Sequence, residues 1–308
     1  VINLPQLAPQ DKIVLHPQFA RYMAGERIYP VGLEVSPAGA CNASCGFCFY
    51  ANTGELGEHR AVFLDTERAT RLLEECRELG IKAVTWTGGG DPSLHPAIRD
   101  LVKWADALGI EQGMFTNCLA LPRYDPAKLA WVRVTRTDKP LREDYLAKLR
   151  ACRRFGFAYN YSGPADDADL LATLAAAERV KADYVQVRPA LKFHGETTDI
   201  EPPAFDHPLL HVTGYKFEDA KKKHGYAACE GYHFVSFVWE DGNVDVCGYM
   251  RKHPGYTLGN LYKSSLREIL DATPASVPVI AKCQVCCKNH EINKRVAASR
   301  AVEDANFP

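Results

Sequence analysis

Eleven cysteines among 308 residues are the side chains of this sequence most able to do chemistry. Three of them, Cys41, Cys45 and Cys48, share the spacing C-x3-C-x2-C. Thiolates are soft ligands that suit zinc or iron–sulfur clusters. A structural zinc takes four ligands, commonly as two pairs. Three cysteines with no local fourth leave one metal position open, and an open iron on a 4Fe–4S cluster lets another molecule coordinate. The alternative is a zinc knuckle closed by a distant fourth ligand. A second group comprises Cys229, Cys247, Cys283, Cys286 and Cys287. The turn Asp241-Gly242 lies between the first two, and Cys283 and Cys286 form a C-x2-C pair. Two pairs of thiolates complete either a tetrahedral zinc site or a fully ligated 4Fe–4S cluster, and ligand type alone does not separate these. Cys287 is a fifth thiol, spare or exchangeable with Cys286. Such groupings in a chain without an export pattern read as metal sites rather than disulfides.

A scaffold of alternating strands and helices must position these groups. Gly32–Ser36 is a short strand leading to Cys41. Asp65–Leu79 reads as a helix, with Asp65 as N-cap, Gly80 as its stop and Ala69, Leu72, Leu73, Cys76 and Leu79 on one face. Further strands are predicted at Ile81–Thr87, Ile110–Thr116, Trp131–Thr135, Phe157–Ser162 and Tyr184–Arg188. Helices are predicted from Pro96 to Leu108, Leu141 to Phe155 and Asp167 to Lys181. Six strands with helices between most of them imply parallel βαβ units, with ligands at the C-terminal strand ends. Six is too few for a closed eight-fold barrel and suits an open, partial barrel or a doubly wound sheet. After residue 190 the rhythm breaks, and a hairpin is predicted from His233 to Tyr249 around Asp241-Gly242. Short helices follow at Ser264–Ala272 and Lys288–Val302. The expected division is an N-terminal extension (1–31), a barrel (32–200), and a connection plus metal-binding extension (201–308). Hydrophobic residues make up 46% and charged residues 24%, which excludes a disordered chain. No apolar run is long enough to span a bilayer, so no membrane partner is expected. A net charge of −1 shows no overall basic field for nucleic acid. Val1–Leu7 lacks a signal-peptide pattern, so a cytoplasmic location is expected.

The first cysteine group, with Phe47 before Cys48, resembles the signature of the radical S-adenosylmethionine (SAM) enzymes, and it follows the first strand as in that family. The segment Thr87-Gly88-Gly89-Gly90-Asp91-Pro92 resembles the family's glycine-rich segment, with Asp91 in place of the usual Glu and one additional Gly. Glycine lets backbone approach a ligand closely. The resemblance implies a partial (β/α)6 barrel and a SAM site built from Phe47, Gly88, Gly89, Gly90, Asp91, Thr135, Asn160, Ser162 and Arg188. Thr116-Asn117-Cys118 resembles the family's Thr-Asn-Gly, and Cys118 is expected to be a buried packing residue. Between Cys229 and Gly242 lie twelve residues, between Gly242 and Cys247 four, and a C-x2-C pair follows. That pattern resembles the SPASM extension of this superfamily, in its shortened twitch form with one auxiliary cluster. The resemblance implies Cys41, Cys45 and Cys48 as ligands of a radical-generating 4Fe–4S cluster. It implies Cys229, Cys247, Cys283 and Cys286 as ligands of an auxiliary one.

The implied chemistry is reductive cleavage of SAM to a 5′-deoxyadenosyl radical, which abstracts hydrogen from a substrate. The electron comes from a flavodoxin- or ferredoxin-type donor. No separate catalytic side chain is assigned. The expected substrate is a small polar or nucleotide-like molecule, oxidised, epimerised or rearranged. The reasons are that only about 31 residues precede the first strand, that one auxiliary cluster is expected instead of two, and that net charge is near zero. Arg136, Asn160, Ser162 and Arg188 are candidates to hold its hydroxyl or anionic groups. The alternatives are a peptide- or protein-modifying maturase, a nucleic-acid base-modifying enzyme contacted through Lys221–Lys223 and the C-terminal basic residues, and a non-catalytic zinc or iron–sulfur protein.

Overall fold

The computed structural model describes residues 11–52 and 60–302. The Val1–Leu7 stretch read for an export signal lies outside them. Six short strands alternate with helical segments as the sequence pattern requires: β1 (Gly32–Val35), β2 (Ala83–Trp86), β3 (Glu111–Thr116), β4 (Trp131–Thr135), β5 (Phe155–Tyr161) and β6 (Tyr184–Pro189). They pair in parallel in chain order. β7 (Leu210–Val212) adds in parallel to β6. β8 (Ala228–Cys229) leaves this sheet to pair with β12 (Val277–Pro278). β9 (Val235–Val238) returns to lie parallel to β1, and β10 (Asn243–Asp245) and β11 (Thr257–Asn260) continue antiparallel. The order β11-β10-β9-β1-β2-β3-β4-β5-β6-β7 makes one ten-stranded sheet. It crosses the boundary drawn at residue 200, because β9 completes the exposed edge of β1.

The strands alternate strictly between their two faces. In β1, β2, β4 and β6 every second residue is fully buried, including Leu33, Val35, Val84, Trp86, Val132, Val134, Val185 and Val187. These face the outer helices, with Leu72, Leu73 and Cys76 of Thr66–Leu79, Leu101 and Val102 of Ile98–Ala107, and Leu170 and Leu174 of Asp167–Arg179 buried in the same core. The intervening residues, Glu34, Thr85, Arg133, Thr135, Gln186 and Arg188, are only half-buried. A parallel sheet covered on both faces carries continuous apolar runs. Polar residues on the second face mark it as the inner wall of an open, partial barrel.

The helix Thr66–Leu79 matches its sequence signals. Asp65 caps it, accepting from the Arg68 backbone N–H at 3.0 Å, and Gly80 ends it at φ 74°. The predicted Leu141–Phe155 helix is different. Only Glu143–Leu146 is α-helical and Ala147–Ala151 is a 3-10 turn. Cys152 turns extended because Phe155 and Gly156 must enter β5 beside Val132 and Arg133. An apolar run long enough for a helix here splits between a short turn and a strand.

Replacing Asp65 with Ala removes the cap of the helix that covers β2. The expected cost is about 1 kcal/mol, a drop of roughly 2–4 °C in the thermal midpoint. Iron content should not change, since the cap lies on the outer layer.

Candidate active site

The first three cysteines sit in the loop after β1, where the sheet delivers its C-terminal strand ends. The glycine-rich segment after β2 runs beside this loop and is bonded to it. The Gly90 N–H donates to the Ala38 carbonyl and the Asp91 N–H to the Ala40 carbonyl, at 2.9 and 2.8 Å. The Gly89 N–H donates to Ser36 Oγ at 3.1 Å. A Cβ on Gly89 would lie 2.2 Å from the Tyr50 ring, and one on Gly90 would lie 2.0 Å from the Ala40 carbonyl oxygen. No larger residue fits. The carbonyls of Gly88, Gly89 and Gly90 accept no hydrogen bond among the described residues, which leaves them available to an ammonium group.

The Asp91 carboxylate is not available to a ligand. It is buried and accepts from the Ser93 N–H and Oγ, from Thr116 Oγ1 and from the Asn117 N–H at 2.6–3.0 Å. It ties the end of β2 to the end of β3. Asn117 in turn donates toward Cys41 Sγ at 3.7 Å and to Asn42 Oδ1 at 2.8 Å. Cys118 is buried with a left-handed φ of 53°, the backbone conformation that favours the glycine of the resembling motif. Burial pushes its thiol up to about 12.

The thiol of Cys45 is also raised to about 12, by burial first and then by Cys41 and Cys48. Thiolates crowded this way repel, so they hold protons until a cation replaces them. Among the described residues the one trio of Cys, His or carboxylate ligand atoms mutually within 4.8 Å is Asp219, His290 and Glu291. The cysteine groups are wider. Zinc at about 2.3 Å from each sulfur would draw them to about 3.8 Å apart. As they stand, the cysteine groups are wider than one zinc ion would hold them. Beside Cys45 lies a cavity of about 630 Å³, lined by Gly46 and Phe47 on one side and by Ser162, Ala190–His194 and Glu196 on the other. Thr135, Asn160 and Arg188 do not line it. They lie on the inner wall, where Arg188 Nε donates to Asn160 Oδ1 at 2.8 Å. Arg136 points elsewhere, bonded to Asp169 Oδ1 at 2.5 Å and the Lys139 carbonyl at 2.8 Å.

The second group is assembled by β8, β12 and the C-terminal helix His290–Arg300. Asn293 Oδ1 accepts from the Glu230 and Gly231 N–H groups, and its Nδ2 donates to Cys229 Sγ at 3.2 Å. The Cys247 thiol is pushed well up by burial and then by Cys287, Cys229 and Cys283. Those four thiols face one another. From the sequence, Cys286 and Cys287 are exchangeable in this set. Cys286 has a left-handed φ of 51°, which swings its sulfur out to Lys216 Nζ at 3.6 Å and lets Cys287 turn inward. The C-x2-C spacing concealed that turn.

A buried ion pair joins the two regions, and neither member was singled out from the sequence. Arg251 and Glu240 are 5% and 2% exposed and meet at 2.8 Å. Arg251 also donates to Tyr50 Oη at 2.9 Å and to Asp241 Oδ2 at 2.7 Å, and lies over the Trp239 ring. Glu240 accepts from Tyr50 Oη at 2.9 Å and from Ser36 Oγ at 3.2 Å. The hairpin that follows Cys229 thus holds the helix that follows Cys48 and, through Ser36, the glycine segment. The one available signal was the pair of charges beside the Asp-Gly turn.

An open barrel with a three-thiol loop at the mouth of β1 and a glycine cradle at the mouth of β2 defines an iron–sulfur enzyme of the parallel-barrel class. The chain belongs to the radical SAM superfamily, whose sequence profile matches residues 35–188. It is a radical SAM enzyme, and membership implies a 4Fe–4S cluster and SAM. A curated relative, the PqqA peptide cyclase of Gluconobacter oxydans (strain 621H), is 34% identical over 92 residues. That match covers 30% of this chain and a quarter of the cyclase. Among solved structures, SuiB of Streptococcus suis bound to precursor peptide SuiA aligns with a TM-score of 0.58 at 16% identity, over 84% of this chain and 70% of that one. The enzyme anSMEcpe with bound AdoMet aligns at 0.53 and 13% identity, over 79% and 77%. These two likenesses show the fold. No helix among the described residues is long and apolar enough to cross a membrane.

Replacing Arg251 with Met leaves the Glu240 charge buried and unpaired, at a cost of about 3–5 kcal/mol. Thermal melts should show the loss, and iron bound by Cys41, Cys45 and Cys48 should fall with it. Glu240→Gln keeps a hydrogen-bonding partner and should be milder in both readouts. Wild-type iron content and melting in Arg251→Met would show that the pair does not position the loop.

Proposed function

We propose that this radical SAM enzyme modifies a peptide, with an auxiliary 4Fe–4S cluster held by Cys229, Cys247, Cys283 and Cys287. The observation that carries the reading is the kinship with a cyclase named for its peptide substrate. It displaces the small polar substrate expected from chain length and charge. Those quantities describe the chain as a whole and say nothing of the shape of its cleft. The cavity beside Cys45 supports the peptide reading, being open and walled by the segment Ala190–His194 that follows β6.

The cluster and SAM, when bound, supply a radical able to remove hydrogen from an unactivated carbon. The chain's own residues bind and shield. The Gly88–Gly90 carbonyls would accept from the ammonium of the methionine portion, and Thr135 and Asn160 would meet its sugar or the substrate. Phe47 walls the cavity beside the thiol loop. Phe49 packs edge-on to Phe193 and Tyr249, at 5.2 and 4.6 Å between centroids. This aromatic contact joins the barrel loop, the cavity wall and the auxiliary region, and it limits water at the reacting carbon. Full thiolate ligation of the second centre favours an electron-accepting role over substrate coordination.

Anaerobically reconstituted protein should hold about eight irons. Replacing Cys41, Cys45 and Cys48 together with Ala should leave about four and abolish 5′-deoxyadenosine formation under dithionite. Cys287→Ala should lose the other set, whereas Cys286→Ala should keep it. Retention of eight irons by Cys287→Ala would overturn the ligand assignment. Release of 5′-deoxyadenosine above background should require a peptide pool. Stimulation by small metabolites alone would overturn the substrate class and leave the radical assignment intact.

A further inference from the structure

Three successive peptide groups of the glycine segment are anchored by alternate residues of the loop after β1. The Gly89, Gly90 and Asp91 N–H groups donate to Ser36 Oγ, the Ala38 carbonyl and the Ala40 carbonyl. A trans peptide is planar, so its carbonyl points opposite to its N–H. The three anchors therefore turn the Gly88, Gly89 and Gly90 carbonyls away from the loop. Gly88 has a φ of 146°, and a Cβ there would lie 2.3 Å from Ser36 Oγ, so only glycine permits this approach.

Two of the anchors are backbone atoms of the loop itself. The third is a side chain, and both of its residue's polar donors are tied to the hairpin of the auxiliary region. The Ser36 N–H donates to the Val238 carbonyl of β9 at 2.8 Å, and the Ser36 hydroxyl to Glu240 Oε2 at 3.2 Å. The other acceptor in reach of that hydroxyl, the Ala38 carbonyl, is more distant at 3.4 Å and already accepts from Gly90. Ser36 and Glu240 are both buried. A hydroxyl has one hydrogen and two lone pairs. Directing the hydrogen at a carboxylate leaves a lone pair for the Gly89 N–H, and a charged acceptor polarises the oxygen and strengthens the bond it accepts. Without the carboxylate, the hydroxyl would turn to Ala38 and compete there with Gly90.

We propose that Ser36 and Glu240 are positioning residues for SAM, through which the auxiliary hairpin sets the aim of the glycine carbonyls and hence the affinity for the SAM ammonium. Linkage makes the effect reciprocal, so SAM binding favours the docked hairpin by the same factor. The coupling holds for any substrate and does not rest on the peptide reading.

The test measures SAM binding to the anaerobic, iron-loaded enzyme by equilibrium dialysis, with the clusters left oxidised so that no cleavage occurs, and compares proteins at equal iron content. Ser36→Ala should weaken binding by about 10- to 100-fold and Glu240→Gln by about three- to tenfold. Since Glu240 acts through Ser36, the double variant should bind no more weakly than Ser36→Ala alone. Unchanged affinity in Ser36→Ala, or losses that add in the double variant, overturns the proposal. So does an equal loss of affinity for 5′-methylthioadenosine, which has no ammonium group, because the damage would then be general. A second measurement needs no variant and stands even where a variant fails to take up iron. In the wild-type enzyme, amide hydrogen exchange across residues 235–245 should slow about fivefold or more when SAM is added. Exchange there that is indifferent to SAM overturns the coupling.

Discussion

The contact between Arg251 and Glu240 holds together regions that the chain separates widely. Burying two charges costs several kcal/mol per ion, and the attraction offsets this only when every remaining lone pair and proton finds a partner. Here Tyr50, Ser36 and Asp241 provide most of those partners and Trp239 covers the guanidinium face, which leaves Arg251 Nε buried without one. Each partner belongs to a piece of the active site. Tyr50 follows the third cysteine, Ser36 receives the Gly89 amide, and Asp241 makes the turn between β9 and β10. The hairpin gives β1 its second neighbour and fixes the loop at the end of that strand.

Crowded thiols set the protonation of both cysteine groups. Burial raises the cost of each thiolate, and neighbouring sulfurs raise it further. Without a metal these groups keep their protons, and any metal that binds there must release them. The protein compensates with aligned donors: Asn117 toward Cys41, Asn293 toward Cys229 and the Ile280 N–H toward Cys283. Such hydrogen bonds to sulfur are among the means by which a protein tunes an iron–sulfur centre.

Much of the barrel was legible because strand and helix periods differ and caps are local. Asp65, Gly80 and the Asp241-Gly242 turn act within a few residues, so their reading needs no tertiary information. The three-cysteine loop was legible for the same reason. The Leu141–Phe155 segment was misread because a short connection must hand Phe155 to β5, a demand set by register across the sheet. The choice between Cys286 and Cys287 was not legible, because backbone handedness at one residue decides which sulfur turns toward Lys216. Arg251 and Asn293 act through partners on other strands and helices, and nothing in their immediate neighbours distinguishes them from solvated polar residues. The substrate class was the furthest from reach, since it depends on a cleft shaped by loops from several strands.

The pairing of β9 with β1 has a consequence for the order in which the molecule is built. Ser36 and Glu240 are 204 residues apart in sequence, yet they share a hydrogen bond beneath the thiol loop. On the ribosome the loop emerges long before the hairpin that braces it. Contacts of such separation form late, because loop closure must precede any gain from them. The nascent barrel therefore carries β1 as an open edge until the last third of the chain has been synthesised. Iron that reached Cys41, Cys45 and Cys48 during that interval would meet a loop without its supporting wall. Maturation of the first centre is thereby coupled to completion of the chain, and a truncated product would not present a finished site to oxygen or to iron.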